Sequence, residues 1–140
     1  MKLMLALSTL FLAAVLLSAA GDAKVTYIGH DQVAKGGTLA TAPDLNVAIN
    51  HRTGPGQVEV HDKETDTFYV LDGSATVVTG GTMIGGKVTA PGQQRGTDIK
   101  EGQAQQLTKG DVMVIPAGVP HWFKEVPKSI DYYTVKVIKP

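Results

Sequence analysis

Between Thr108 and Glu125 the chain reads TKGDVMVIPAGVPHWFKE, an order of signals that few folds accommodate. Lys109-Gly110 marks a turn, Val112 to Ile115 is a short apolar strand, and Pro116 to Gly118 is a second turn. His121 then enters a new strand among aromatic residues. A histidine placed on a strand just after a rigid turn projects from the strand's inner face. His121 is therefore read as one wall of a metal pocket whose other walls lie well upstream.

The same rhythm of short strand and turn extends over most of the chain. Thr38 to Thr41 is followed by a break at Pro43-Asp44, and Leu45 to Arg52 alternates with period two. Gln57 to His61, Asp66 to Leu71 and Ala75 to Thr79 follow, separated by the polar link Asp62 to Thr65 and the turn Asp72-Gly73-Ser74. Strands resume at Gln105 to Leu107, Val112 to Ile115, Val119 to Lys124 and Ile130 to Ile138. Strands this short and this regularly spaced make a sandwich or barrel. Lys24 to Ile28 alternates weakly and is expected as a short strand, and His30 to Lys35, closed by Gly36-Gly37, as one or two helical turns. Gly80 to Gln106, rich in Gly, Thr and Gln, is expected as a hairpin running into a long surface loop. No internal repeat or heptad pattern appears, so the chain is one all-β domain with one short N-terminal helix.

The first twenty residues are of a different kind. Lys2 precedes an uncharged run from Leu3 to Leu17, and Ser18, Ala19 and Ala20 end it with small residues. That is the pattern of a secretory signal peptide, residues 1–20, leaving a domain at 21–140 with no stable membrane insertion after cleavage. The chain is thus expected to be exported, periplasmic or secreted. With no cysteine anywhere, its stability outside the cytoplasm must come from packing and hydrogen bonding. Lys+Arg and Asp+Glu number 13 each, and no basic run stands out, so there is no electrostatic footprint for nucleic acid.

Period two puts Glu59 and His61 on one face of a strand, and Asp66 opens the next strand. With His121 the set offers two imidazoles and two carboxylates, which suits a divalent transition metal such as Mn²⁺, Fe²⁺ or Zn²⁺. Glu59 is either a fourth ligand or, left free, a catalytic general base. The alternative is that Glu59, His61 and Asp66 form a hydrogen-bonded polar cluster in a metal-free barrel. His51 shares a face with Leu45, Val47 and Ile49, which makes it core-facing or a pocket residue, while Arg52 points the other way unless a bulge intervenes. Phe68 and Phe123 are candidates to line a substrate pocket, and Arg95, in the loop 92–96, to reach over its mouth towards an anionic molecule.

These residues resemble the cupins. The family's second motif, G(x)5PxG(x)2H(x)3N, is matched by Gly110, Pro116, Gly118 and His121, with Glu125 in place of the final Asn. Its first motif, G(x)5HxH(x)3-4E(x)6G, is matched in spacing at Glu59-Val60-His61, Asp66 and Gly73, with Glu59 in place of the first histidine and Asp66 in place of the glutamate. The resemblance spans about Leu45 to Val137. It implies a small antiparallel β-barrel or jelly roll with an open mouth, often assembled as a homodimer. It also implies metal-assisted chemistry on, or binding of, a small polar or anionic molecule. A non-catalytic ligand-binding or assembly module remains the alternative.

Overall fold

The computed structural model describes residues 24–140; the expected leader, residues 1–20, lies outside the described residues. Runs of Val, Ile, Thr and Tyr punctuated by glycine turns leave the chain few choices but extended strands. Among the described residues one helix, α1 (His30–Val33), precedes twelve strands. They are β1 (Gly37–Ala42), β2 (Leu45–Arg52), β3 (Val58–His61), β4 (Glu64–Thr79), β5 (Thr82–Ile84), β6 (Lys87–Ala90), β7 (Gln93–Gly96), β8 (Asp98–Lys100), β9 (Gln103–Thr108), β10 (Val112–Ile115), β11 (His121–Glu125) and β12 (Ile130–Ile138). The main sheet runs β1-β2-β12-β4-β11-β3-β7-β6, with β9 and β10 also paired to β4, and β5 and β8 form a separate ribbon. Curled on itself, this antiparallel arrangement is the expected all-β barrel.

The 16-residue β4 joins the two halves of the barrel. Its first part pairs with β10 and β12, and its second part with β9 and β11. The change of partners occurs at Gly73, whose φ is 77°, where a Cβ would collide with the carbonyl of Ser129. The expected turn at Asp72-Gly73-Ser74 is therefore a bend within one strand: glycine lets the backbone pass close to its neighbour without breaking the ladder. Inside, Phe68, Val70, Val77, Leu107, Phe123 and Ile130 form the buried core, each large side chain contributing about 1.5–3 kcal/mol of burial. The core ends where the Phe68 ring meets His121 edge-on, with centroids 6.3 Å apart.

Three further expectations change. Lys24 to Ile28 forms no strand; Val25 and Tyr27 are almost fully exposed, so the alternation has no face to bury. The segment expected as hairpin and loop contains β5 to β8 and the start of β9. Its strands escape detection because they carry mostly polar residues, and all four residues of β6 are exposed. In β2 the period is as expected but the face is reversed. Asn46, Ala48, Asn50 and Arg52 line the barrel interior, while Leu45, Val47 and Ile49 point outward, half-buried. No bulge is involved, since β2 pairs with β12 without interruption from Arg52↔Ile130 to Leu45↔Val137. The interior at β2 borders a cavity and is polar, whereas the outer face continues in apolar rows such as Ile49–Tyr133–Tyr69–Val112 across β2, β12, β4 and β10. His51 consequently lies exposed on the outer surface, its Nδ1 2.6 Å from Asp131 Oδ1, and is not a pocket residue.

Candidate metal centre

Strand pairing brings the four residues together from three strands. Glu59 on β3 lies beside His121 on β11 and, on its other side, beside Arg95 on β7. His61 follows two residues after Glu59 on the same face and pairs with Gln93. Across the interior, Asp66 on β4 pairs with Lys136 on β12. The turn that precedes β11 fixes this geometry. Gly118, at φ 82°, turns its N–H to the carbonyl of His61 at 2.8 Å, so the glycine of one motif holds the histidine strand of the other. Gly110, at φ 90°, closes the turn before β10, where Thr108 N–H donates to Asp111 Oδ2 at 2.7 Å.

The hydrogen bonds around the histidines decide which ring nitrogen faces inward. His121 Nδ1 stands 3.1 Å from the carbonyl of Val119, which can only accept, so Nδ1 carries a proton. His61 Nδ1 bonds to Gln93 Oε1. Gln93 must present its oxygen there, because its Nε2 donates to Glu64 Oε1 at 2.7 Å and a carboxylate accepts only. Both imidazoles therefore turn Nε2 into the barrel, and both Nε2 atoms are buried without a hydrogen-bond partner. His61 Nε2 is 3.4 Å from Glu59 Oε2 and 3.6 Å from Asp66 Oδ2. His121 Nε2 is 3.7 Å and 3.6 Å from the same two oxygens. The contacts are within ion-pair range but longer than a normal hydrogen bond.

Four acceptor atoms thus face one another. Ligand atoms around a tetrahedral ion with bonds of about 2.0–2.2 Å stand roughly 3.3–3.6 Å apart, close to each of these histidine–carboxylate separations, and nitrogen with carboxylate oxygen is the donor set small divalent cations take. Each histidine's outer nitrogen is already bonded, as a ligating imidazole requires. Glu59, His61 and His121 form one group with metal-ligand spacing, and His61, Glu64 and Asp66 a second. Asp66 has another partner: Lys136 Nζ donates to Oδ1 and Oδ2 at 2.7 and 2.8 Å and stands 3.0 Å from Glu64 Oε2.

The electrostatics follow from this packing. Burial works against ionising Glu59, but the facing His121 and His61 imidazoles and the Arg95 guanidinium outweigh it and hold the carboxyl well below its usual range. Burial also opposes charge on His61, yet the Glu59 and Asp66 carboxylates raise its affinity for a proton above the ordinary imidazole value despite Lys136. Glu64 is likewise held low, burial being overcome by Lys136.

A cavity of about 290 Å³ runs inward from these residues, with Glu59, Asp66, Phe68, Phe123 and Tyr132 in its walls. Phe68 and Phe123, the expected pocket residues, line this cavity. Arg95 lines a neighbouring pocket that shares Asn46, Glu59 and Lys136 with this cavity, not from a loop but from β7, its Nη2 3.5 Å from Glu59 Oε1. Sequence reasoning missed Arg52, Lys136, Glu64 and Gln93. For Lys136 a signal existed: it continues the inward alternation of Ile130, Tyr132 and Thr134.

No curated protein matches the sequence. Among solved structures the chain is similar to BH2720 from Bacillus halodurans, at 13% identity and TM-score 0.58 over 86% of each chain. It is also similar to KdgF from Halomonas sp., at 18% identity and TM-score 0.53 over 75% of this chain and 80% of that one. TT1209 from Thermus thermophilus gives 18% identity and TM-score 0.53 over 75% and 83%. At these identities the likeness is one of fold. Residues 45–131 match the family described as Cupin, and with this motif spacing on this barrel the chain belongs to the cupin family.

Proposed function

We propose that this chain is an exported cupin that holds one divalent transition metal, Mn²⁺, Fe²⁺ or Zn²⁺, in its barrel and offers it to a small polar or anionic molecule. The observation that carries this reading is the pair of orphaned, buried Nε2 atoms aimed at two carboxylate oxygens 3.4–3.7 Å away. Acceptors cannot satisfy one another, and only a proton or a metal ion placed among them removes the cost of burying them.

His61, His121 and Glu59 would be the first three ligands, with Asp66 a fourth when it is released from Lys136. A carboxylate held as low as that of Glu59 is a weak base, so Glu59 suits ligation better than the alternative role of general base. Two histidines and a carboxylate leave positions open for an oxygen ligand, and the ion would supply Lewis-acid polarisation of that oxygen. Around it, Lys136 balances Asp66 and Glu64, Gln93 fixes the His61 ring, and Arg95 keeps Glu59 charged.

The pair of hydrogen bonds from Lys136 to Asp66 favours a second reading, a metal-free barrel in which the ammonium is the resident cation and the domain binds ligands without catalysis. Elemental analysis of the purified mature protein separates the two. Stoichiometric Mn, Fe or Zn that is lost in a His61→Ala, His121→Ala double variant supports the metal reading. Protein that stays metal-free after dialysis against each ion rejects it. The apolar outer rows through Val112, Val114 and Tyr69, all substantially exposed, also support pairing of two barrels in a homodimer. Light scattering should then give a dimer that Val112→Lys converts to a monomer, and a monomeric wild type would end that part of the reading.

A further inference from the structure

Along β2 and β12, away from the Asn46–Lys136 pair, the cavity is lined by Arg52, Asn50, Thr134 and Tyr132. The other cations of this cavity and its neighbouring pocket are committed: Lys136 to Asp66 and Glu64, and Arg95 to Glu59. Arg52 is different. Among the described residues no carboxylate pairs with it, and its one side-chain hydrogen bond runs from Nε to the Tyr132 hydroxyl at 2.9 Å. Burial pushes the Tyr132 hydroxyl above its ordinary range, partly offset by Arg52, so this partner is neutral and leaves the guanidinium charge uncompensated. The terminal nitrogens are left for something else.

The guanidinium is also held in place before any ligand arrives. It stacks over Phe123, 4.7 Å from the ring centroid. Gly56 makes room for it, since a Cβ there would stand 2.8 Å from Nη1. Gly56 is itself tied to β11, its N–H donating to the Phe123 carbonyl at 2.9 Å and its carbonyl accepting from Trp122 Nε1 at 2.7 Å. A fixed guanidinium with free terminal N–H groups is a two-pronged donor that matches the oxygens of a carboxylate or phosphate. Its neighbours Asn50 and Thr134, which bond to each other at 2.8 Å, are neutral and can meet hydroxyl or carbonyl oxygens. One uncommitted positive charge among neutral polar groups suits one negative charge better than the two of a phosphate.

We propose that Arg52 seats a carboxylate group, so that the molecules taken up by this barrel are small carboxylic acids carrying further hydroxyl, carbonyl or carboxylate oxygens. The inference rests on the reading of the barrel as a small-molecule site, but not on the metal. Arg52 thereby becomes the specificity-determining residue, and the acid's other oxygens are directed towards Glu59, His61 and His121.

Calorimetric titration of the folded mature protein tests this, with glycolate, malonate, succinate and inorganic phosphate as probes, once after chelator treatment and once with added Mn²⁺ or Zn²⁺. At least one carboxylate should bind in both states and more tightly than phosphate. Arg52→Gln should weaken that binding at least tenfold, and Arg52→Lys, which keeps the charge but not the fork, should fall between. If Arg52→Gln does not fold, Arg52→Lys carries the comparison. Arg52→Gln should leave any metal-induced rise in melting temperature unchanged. Carboxylate binding that depends on Arg52 in a protein that takes no metal would sustain this inference while removing the metal. No probe binding to wild type, equal binding by wild type and both variants, or tighter binding of phosphate than of any carboxylate would overturn it.

Discussion

Beside the barrel cavity, Nε2 of His61 and of His121 faces carboxylate oxygens of Glu59 and Asp66, and no hydrogen bond joins the four atoms. Further along β2 the Arg52 guanidinium stands with no carboxylate paired to it among the described residues. Buried polar groups are ordinarily paired, because an unpaired one costs about 1–3 kcal/mol. Two unpaired ends of opposite kind in one cavity indicate what is missing from each: a cation at the histidines and an anion at the arginine. Lys136, level with Asp66, joins Asp66 and Glu64 and keeps the acid-rich end tolerable without a metal.

Breaking the frame should cost most, because both ends hang from the bent strand β4 and the strands that flank it. Gly73→Ala would force a side chain into a left-handed backbone position against Ser129, and we expect a loss of more than about 3 kcal/mol in denaturant unfolding. A loss under 1 kcal/mol would mean that the bend is not needed. Removing the resident cation comes next. Lys136→Met leaves Asp66 and Glu64 facing the histidine cluster alone, for a loss of about 3 kcal/mol without metal, part of which added Zn²⁺ should restore. A variant as stable as wild type would show that Lys136 does not balance this end.

Titration sharpens the comparison further. Glu59 and Glu64 are held below their ordinary range, so the stability they contribute is present above that range and is lost as pH falls towards their folded values. His61 is raised, so its contribution is present at low pH and is lost as pH rises through its folded value. Metal-free protein should therefore be most stable near about pH 5 to 6 in melting scans. Metal must displace the His61 proton, so stabilisation by metal should instead grow from about pH 6 to pH 8. Both curves rising together with pH would contradict the assignment. The smallest effect belongs to the donor end: Tyr132→Phe removes one hydrogen bond from Arg52 and should cost about 1 kcal/mol, with carboxylate binding retained by calorimetry.

Much of this molecule was legible in its sequence, and the exceptions share a cause. Glycine and proline marked the turns at Gly110 and Gly118, and period two aligned Glu59 with His61. Side-chain polarity misled wherever a strand lines a cavity. There the inward residues Asn46, Asn50 and Arg52 are polar and the outward Leu45, Val47 and Ile49 apolar, the reverse of a strand packed on a core. The polarity of Lys136 on β12 misled in the same way, although the inward alternation of Ile130, Tyr132 and Thr134 pointed to it. Gln93 was hidden differently: its role depends on its register opposite His61, which only the paired strands reveal. Gly73 gave the right position for a change of direction, but only its approach to Ser129 distinguishes a bend from a turn.

The acceptor end carries the central claim, that the cluster of His61, His121, Glu59 and Asp66 takes a divalent cation. Melting the mature protein at about pH 8 with and without Mn²⁺, Fe²⁺ or Zn²⁺ tests it most directly. An ion at roughly a hundred times its Kd should add about 2.7 kcal/mol, or a rise of about 10 °C for a domain this size, and the rise should vanish in His61→Ala, His121→Ala. No rise with any of the three ions, or an equal rise in the double variant, would contradict the account.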